Sequence, residues 1–372
     1  MNMQVEVQQR YAGGAKEAEA KLCCPVDYDA SLLKLLPEEI IEKDYGCGDP
    51  SRYVREGDTV LDLGSGGGKI CYMAAQLVGP AGCVIGVDMT DDMLALARKY
   101  QDEMVDKLGG CRVDFHKGYI QDLALDVDAM ETYLAKHPVN SAADLAELQQ
   151  WQRKQRQDKP LVEDNSIDLV VSNCVLNLVS DKEKQQLVEE IFRVLKPGGR
   201  VAISDIVSDE VVPTHLKQDS ELWSGCISGA FQEQEFLKVF KDAGFLAVAY
   251  DKWDAKPWQV VEGIEFRSVT LTAVKSDDSP CLDYGHAVIY KGPHAEVRDD
   301  EDHIFPRGER MAVCERTFKF LTESDAYGSD FIGIEPAQRS DAKTFCAPGG
   351  TRRPVSETKG SAISGGSSNG CC

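Results

Sequence analysis

A glycine-rich turn at residues 64–68 is the feature that most restricts what this chain can fold into. The sequence Thr59-Val-Leu-Asp-Leu-Gly64-Ser65-Gly66-Gly67-Gly68-Lys69 places the glycines directly after a β-branched run and before a helix-like segment. A turn without Cβ atoms at this place lets the backbone approach a ligand closely. The spacing lacks the last glycine of the dinucleotide fingerprint and the frame of a phosphate loop, which weakens both interpretations. A turn that only packs strand on helix is the structural alternative.

The sequence around this turn predicts an α/β fold. From about residue 58 to residue 245, short apolar runs alternate with amphipathic stretches, as in a mainly parallel sheet flanked by helices. The predicted strands are residues 59–63, 84–87, 112–116, 167–172 and 199–204. The predicted helices are residues 31–43, 70–78, 91–108 and 182–195.

Changes in composition divide the chain into four parts. We expect an N-terminal helical and cysteine-bearing segment (1–57), a main domain (58–275), a small, mostly β appendage (276–346) and a disordered Gly/Ser-rich tail (347–372) that ends in Cys371-Cys372. Within the main domain, residues 126–164 form a polar insertion in which the spacing of Leu145, Leu148 and Trp151 suits a solvated helix. We expect no catalytic role for this insertion.

Charge and hydropathy exclude several classes of protein. The chain has 62 acidic and 41 basic residues, a net charge of −21, which disfavours binding to nucleic acid. It shows neither a secretory signal nor an apolar run of about 18 residues, so we expect a cytoplasmic protein that does not span a membrane. In that compartment most of the 13 cysteines would be thiols.

A carboxylate at the end of the second predicted strand strengthens the ligand-binding interpretation. Asp88 closes the run Val84-Ile-Gly-Val-Asp-Met, where its oxygens would accept both hydroxyls of a ribose. Together with Asp62, Gly118-Tyr119-Ile120 and the Lys196-Pro-Gly-Gly199 turn, the pattern resembles class I S-adenosylmethionine-dependent methyltransferases over residues 58–275. That resemblance implies a Rossmann-like class I methyltransferase sheet.

Three cysteines lie in phrases that precede the first strand or follow later ones. Cys47 and Cys226 stand beside glycines, which would let a ligand approach their thiols, and Cys174 directly follows the fourth strand. None belongs to a C-x2-C pair, so a structural zinc ribbon is a poor fit. The three thiolates could converge on a soft, thiophilic element. The structural alternative for Cys174 is a buried apolar thiol.

Four phrases narrow the resemblance further. Tyr45-Gly-Cys-Gly, Gly118-Tyr-Ile, Ser172-Asn-Cys-Val-Leu-Asn-Leu178 and Leu222-Trp-x-x-Cys-x-x-Gly-Ala230 are similar to phrases of the arsenite S-adenosylmethionine methyltransferase family, over about residues 11–275. The resemblance implies that Cys47, Cys174 and Cys226 bind As(III). It also implies that Cys23 or Cys24 exchanges electrons with Cys47 during turnover.

The same resemblance implies a cofactor and its contacts. S-adenosyl-L-methionine would be the methyl donor, a thiol reductant (thioredoxin or glutathione) the electron donor, and arsenite or thiol-conjugated As(III) the substrate. Tyr45 would form a cation–π contact with the sulfonium. An arsenic lone pair carries no proton, so no catalytic base is required, and we interpret His116 and His215 as structural or surface residues. The implied cofactor contacts are Tyr45, Asp62, Gly64, Ser65, Gly66, Asp88, Met89, Tyr119, Ile120 and Asn173.

Two other functions are compatible with these motifs. One is methyl transfer to another soft acceptor, such as selenium, tellurium or a small thiol. The other is a non-catalytic, thiol-rich metalloid-binding protein, which would need neither Asp88 nor the glycine turn. The acidic run at residues 298–302 is interpreted as a solvated loop rather than a hard-cation site.

Overall fold

The computed structural model describes residues 3–15, 26–43, 45–110, 112–277, 279–324, 326–327, 330–336, 338–339, 341–345 and 350–358. The chain divides into two compact units, Met1–Ser276 and Asp277–Cys372.

A nine-stranded mixed sheet forms the centre of the first unit within the described residues. Its main strand order is β3-β2-β1-β4-β5-β9-β7, with β6 paired to β5 and β8 paired to β9. Strands β1 to β5 run parallel, and β9 and β7 are antiparallel additions at one side. This architecture confirms the predicted fold class. The strands are β1 Thr59–Leu63, β2 Cys83–Asp88, β3 Arg112–Lys117, β4 Ile167–Asn173, β5 Leu195–Ser208, β6 Phe231–Gln232, β7 Phe245–Trp253, β8 Gln259–Val261 and β9 Ile264–Lys275.

Helices cover both faces of this sheet. Alternate residues of a strand point to opposite faces, and each face is apolar: Leu61 joins the hydrophobic cluster that includes α9 and α12, whereas Val60 joins the one that includes α4 and α5. The helices are α1 Met3–Gly14, α2 Ala30–Leu33, α3 Glu38–Glu42, α4 Lys69–Val78, α5 Asp91–Lys99, α6 Gln101–Lys107, α7 Val127–Lys136, α8 Ala142–Asp158, α9 Lys184–Val194, α10 Thr214–Lys217, α11 Ser220–Ser224 and α12 Glu233–Asp242.

Two predicted helices are interrupted. The helix predicted over residues 31–43 is two short helices, α2 and α3, because Pro37 precedes α3 with extended backbone and cannot continue α2. The helix predicted over residues 91–108 breaks at Tyr100, whose φ of −105° and ψ of 3° lie outside the helical range. The Tyr100 hydroxyl donates to Glu39 on α3 at 2.6 Å.

The polar insertion forms helices α7 and α8. Trp151 stacks on Tyr133 with ring centroids 4.8 Å apart, and Arg156 pairs with Asp122 at 2.7 Å. None of the residues of α8 is buried, which agrees with the expected solvated helix.

The second unit is rich in short strands. Strands β15, β11, β14 and β17 form a four-stranded sheet, and β10–β16 and β12–β13 form two-stranded ribbons. The expected mostly β character is confirmed, except that residues 315–323 form a helix with an apolar face containing Phe318 and Leu321. In the acidic run, Asp299 accepts from the His303 ring at 2.8 Å. The elements are β10 Leu282–Asp283, β11 Ala287–Tyr290, β12 Glu296–Arg298, β13 Ile304–Pro306, β14 Arg310–Ala312, α13 Glu315–Glu323, β15 Phe331–Ile334, β16 Lys343–Thr344 and β17 Thr351–Arg352.

Candidate active site

A cavity of about 500 Å³ lies at the carboxyl edge of the parallel strands. The strand register places this edge: Leu63 pairs with Val87 and with Ser172, so the segments after β1, β2 and β4 end beside one another. The predicted site residues that line the cavity are Tyr45, Gly64, Gly66, Asp88, Met89, Ile120, Asn173 and Cys174.

The glycine turn needs glycine for two reasons at its first position. Gly64 has a φ of +70°, a conformation that residues with a Cβ rarely adopt. A Cβ there would also lie 2.5 Å from Cγ1 of Val175. The turn therefore brings bare backbone to the cavity wall, as the sequence predicted.

Asp88 is held against this turn. Its Oδ2 accepts from the Gly66 N–H at 3.0 Å, and its Oδ1 accepts from the Thr90 N–H at 2.8 Å. Burial raises the pKa of Asp88, and the two backbone hydrogen bonds act in the opposite direction. A carboxylate oxygen accepts more than one hydrogen bond, so both oxygens retain capacity for the hydroxyls of a ribose.

Three predicted cofactor contacts do not line the cavity. Asp62 is buried and accepts from the Cys71 thiol at 3.2 Å. Ser65 is buried, and no described residue pairs with its hydroxyl. Tyr119 forms an isolated β-bridge with Asp122. Ile120, the next residue along the chain, does line the cavity.

Asn173 clamps the loop that carries Cys47. Its Oδ1 accepts from the N–H groups of Cys47 at 2.8 Å and Gly48 at 3.1 Å, and its Nδ2 donates to the Gly48 carbonyl at 2.8 Å. The glycines beside Cys47 serve this clamp: a Cβ at Gly46 would lie 2.3 Å from Asn173 Nδ2, and one at Gly48 would lie 2.2 Å from Ser204 Oγ. The protein's own side chains therefore fill the space beside these glycines, and approach of a ligand to the Cys47 thiol stays a prediction.

The structure brings the three predicted metalloid ligands into one buried cluster. Cys47 and Cys174 are joined as a disulfide, with Cα atoms 5.9 Å apart. The Cys226 thiol donates to the Cys174 carbonyl oxygen at 3.0 Å. Of the three, only Cys174 lines the cavity. The family resemblance implies thiolate ligands at Cys47 and Cys174, whereas the structure holds these two sulfurs as a disulfide. Cys23 and Cys24 lie outside the described residues.

Two of these cysteines have an uncommon backbone conformation. Cys174 has a φ of +60° and Cys226 a φ of +61°, in the left-handed region. Such a conformation costs about 1 kcal/mol or more for a residue with a Cβ, and it concentrates at functional sites. Sequence patterns gave no signal for it.

Asp205 is a neighbour of the cysteines that sequence reasoning missed. A carboxylate oxygen of Asp205 and the sulfurs of Cys47 and Cys174 all lie within 4.8 Å of one another. Asp205 accepts from Asn177 Nδ2 at 2.8 Å, and burial raises its pKa to about 7. The available signal was an acidic residue inside the otherwise apolar and serine-containing strand β5.

Helix α1 supplies a wall that sequence reasoning also missed. Val7 and Tyr11 line the cavity, and the Tyr11 hydroxyl lies 3.8 Å from the Cys226 sulfur. Arg10 holds the helix in place by donating to Ser224 Oγ at 2.7 Å. Burial, and next the Cys226 thiol, raise the pKa of Tyr11 well above its usual range, so Tyr11 is a neutral hydrogen-bonding group.

The fold and cavity agree with a comparison to protein families. A family model described as a methyltransferase domain matches residues 55–160 and 152–244, and a domain of unknown function (DUF8838) matches residues 277–363. With the glycine turn and Asp88 at the sheet edge, the chain is a class I S-adenosylmethionine-dependent methyltransferase.

Individual relatives define the family. The arsenite methyltransferase of Aquipseudomonas alcaligenes is 33% identical over 327 residues, which cover 83% of this chain and 84% of that protein. The human arsenite methyltransferase is 31% identical over 313 residues, which cover 81% of this chain and 73% of that protein. The chain belongs to the arsenite methyltransferase family.

A solved structure shows the same likeness in three dimensions. The crystal structure of an arsenic(III) S-adenosylmethionine methyltransferase from Chlamydomonas reinhardtii has 29% identity and a TM-score of 0.56, covering 87% of this chain and all of that one. Within the described part of the chain, no helix is both long and apolar enough to cross a membrane.

Proposed function

We propose that this protein methylates trivalent arsenic, with Cys47, Cys174 and Cys226 as the ligands that present the arsenic to the methyl donor. The observation that carries the proposal is the meeting of these three cysteines, from three distant segments, in one buried cluster beside the glycine-turn cavity. The names of the relatives support arsenite as the substrate.

The residues of the cavity fit S-adenosylmethionine. The Gly64–Gly66 backbone and the Asp88 carboxylate suit the amino-acid and ribose parts of a nucleoside sulfonium, and the volume of about 500 Å³ is that of a small-molecule site. When bound, this cofactor supplies an electrophilic methyl group on a positively charged sulfur. Tyr45 lines the same cavity and donates to the Gly14 carbonyl at 3.2 Å, which holds its ring for the proposed cation–π contact.

Arsenic binding begins with reduction of the Cys47–Cys174 disulfide. Two electrons from a dithiol or two monothiols, of the thioredoxin or glutathione class, return both sulfurs to thiols. Arsenous acid then exchanges its three hydroxyl groups for three thiolates: three As–S bonds form, three As–O bonds break, and the thiol protons leave in three water molecules. Arsenic stays trivalent and keeps its lone pair.

The protein contributes to methyl transfer by aligning the arsenic with the methyl donor and by excluding water from it. The three ligands are almost completely buried, with exposed fractions of 0% for Cys47, 8% for Cys174 and 5% for Cys226, so they hold arsenic away from water. The arsenic lone pair forms the new As–C bond while the carbon–sulfonium bond breaks, and no proton moves. Arsenic loses two electrons in this step, and a pair of thiols returns them. The pair of thiols proposed for this electron transfer is Cys23 or Cys24 with Cys47. The Cys47–Cys174 pair is the second candidate for the same step.

Arsenic K-edge X-ray absorption on the reduced protein with one equivalent of arsenite tests the ligand set. We expect three sulfur neighbours around arsenic, and two sulfurs with one oxygen in a Cys226→Ser variant. A Cys83→Ser variant is the matched control, because Cys83 is a half-buried free thiol on strand β2. Oxygen-only coordination in the reduced protein would overturn the proposal.

A further inference from the structure

The second unit contains two free thiols at the starts of two elements that pack together. Cys281 directly precedes β10, Cys314 directly precedes α13, and β10 packs against α13. Both side chains are free thiols, and their sulfurs interact electrostatically with each other. Cys314 is 3% exposed, whereas Cys281 is half-buried and gives access from solvent.

A helix N-terminus and an arginine side chain lie beside the two sulfurs. The Cys314 sulfur caps α13 by accepting from the Thr317 N–H at 3.4 Å, and it lies 3.2 Å from Thr317 Oγ1. The Arg316 guanidinium interacts electrostatically with both sulfurs and is held by a hydrogen bond to the Asp277 carbonyl at 3.0 Å. Burial, and next the neighbouring Cys314 sulfur, raise the pKa of Cys281.

The donor set discriminates among soft ligands. Among the described residues, no third cysteine, histidine or carboxylate converges on this pair, whereas zinc takes four ligands in structural sites. A trivalent arsenical that carries one organic group needs two thiolates, which two neighbouring thiols can provide.

We propose that Cys281 and Cys314 form a second arsenical site, specific for monosubstituted trivalent arsenicals of the form R–As(OH)2. Binding forms two As–S bonds and breaks two As–O bonds, and the two thiol protons leave as part of two water molecules. Arsenic remains trivalent, so no oxidant or reductant is required. The site lies in the part of the chain that matches a domain of unknown function, and its binding does not depend on methyl transfer.

Residue-specific alkylation of the full-length, reduced protein tests this site. Phenylarsine oxide is the probe, and 2-mercaptoethanol displaces it from single thiols. N-ethylmaleimide is then added in molar excess over all thiols present, and its labelling of each cysteine is followed by peptide mass spectrometry. At a free probe concentration about ten times its Kd, we expect labelling of Cys281 and Cys314 to fall together by about tenfold. Labelling of Cys83 is the internal control and stays unchanged, and 2,3-dimercaptopropanol restores labelling of the pair.

A Cys314→Ser variant tests whether the probe protects Cys281 by binding both sulfurs or whether Cys281 is protected by burial alone. Serine is a good helix N-cap, so α13 keeps its cap and the unit keeps its fold. In this variant we expect the probe to lose its protection of Cys281. Unchanged protection of Cys281 in the variant, or independent labelling of the two cysteines in the parent, would overturn the proposal. Neither readout involves S-adenosylmethionine, so failure here is distinguishable from failure of the proposed methyl transfer.

Discussion

The side-chain oxygen of Asn173 accepts a hydrogen bond from the backbone N–H of Cys47 at 2.8 Å, across 126 residues of sequence. Asn173 is also the residue directly before Cys174. One amide side chain therefore fixes the spacing between two cysteine-bearing segments, and it does so through backbone groups that are present whatever the oxidation state of the sulfurs.

Removing this amide tests the clamp. An Asn173→Ala variant leaves the buried N–H groups of Cys47 and Gly48 without their acceptor, at a cost of about 2–3 kcal/mol in the free energy of unfolding. We expect urea denaturation to show this loss and arsenite binding to weaken. Asn140→Ala, which changes an exposed asparagine, is the control and should leave both unchanged. Normal arsenite affinity in Asn173→Ala would contradict the clamp.

Asp88 provides a test of cofactor binding alone. An Asp88→Asn variant replaces a charged acceptor of hydroxyl groups by a neutral one, and charge-assisted hydrogen bonds contribute about 1.5–3 kcal/mol. We expect the Kd for S-adenosylmethionine in calorimetry to rise by about 10- to 100-fold, with arsenite binding to the reduced protein retained. Asp102→Asn, which changes an exposed residue of α6, is the matched control. An unchanged Kd would remove Asp88 from the site.

Two variants of Tyr11 distinguish the role of its ring, which lines the cavity, from the role of its hydroxyl, which lies near the Cys226 sulfur. Tyr11→Phe keeps the ring that lines the cavity and removes the hydroxyl 3.8 Å from the Cys226 sulfur. We expect Tyr11→Phe to raise the KM for arsenite by a few-fold with cofactor affinity unchanged. Tyr11→Ala should weaken both, because the wall is lost. If Tyr11→Phe and Tyr11→Ala behaved alike, the hydroxyl contact rather than the ring would be the dominant contribution.

The parts of the site that follow a regular pattern were predictable from sequence. The glycine turn, Asp88 and Cys174 each come at the end of a strand with alternating or continuous apolar residues, so strand order alone places them at one edge. The clamp of Asn173 on Cys47, the proximity of Asp205 and the contact of Tyr11 with Cys226 depend on segments far apart in sequence. No local periodicity encodes such contacts. Amphipathic spacing can also continue through a position where the helix is interrupted, as it does at Pro37 in the helix predicted over residues 31–43.

The lowered pKa of Glu39 predicts that the first unit loses folding stability in acid. Hydrogen bonds from Lys99, Tyr100 and Lys43 lower the pKa of Glu39 to about 2 from its usual 4.5. A lowered pKa in the folded state contributes stability that is present above about pH 4.5 and is lost as the pH falls towards 2. We expect the melting temperatures of the parent and of Glu39→Gln to differ near pH 6 and to converge on acidification. Glu42→Gln, on the same helix, is the control; a difference independent of pH would exclude the ion-pair explanation.

Product speciation tests the central claim most directly. The reduced protein is incubated with S-adenosylmethionine, a thiol reductant and either arsenite, selenite or no acceptor, and the methylated products are separated and identified by mass spectrometry. We expect methylated arsenicals with the parent and with Cys83→Ser, and none with Cys174→Ser, whose affinity for S-adenosylmethionine stays within a few-fold of the parent. Methylated arsenicals formed at the parent rate by Cys174→Ser, or methylation of selenite alone, would contradict the account.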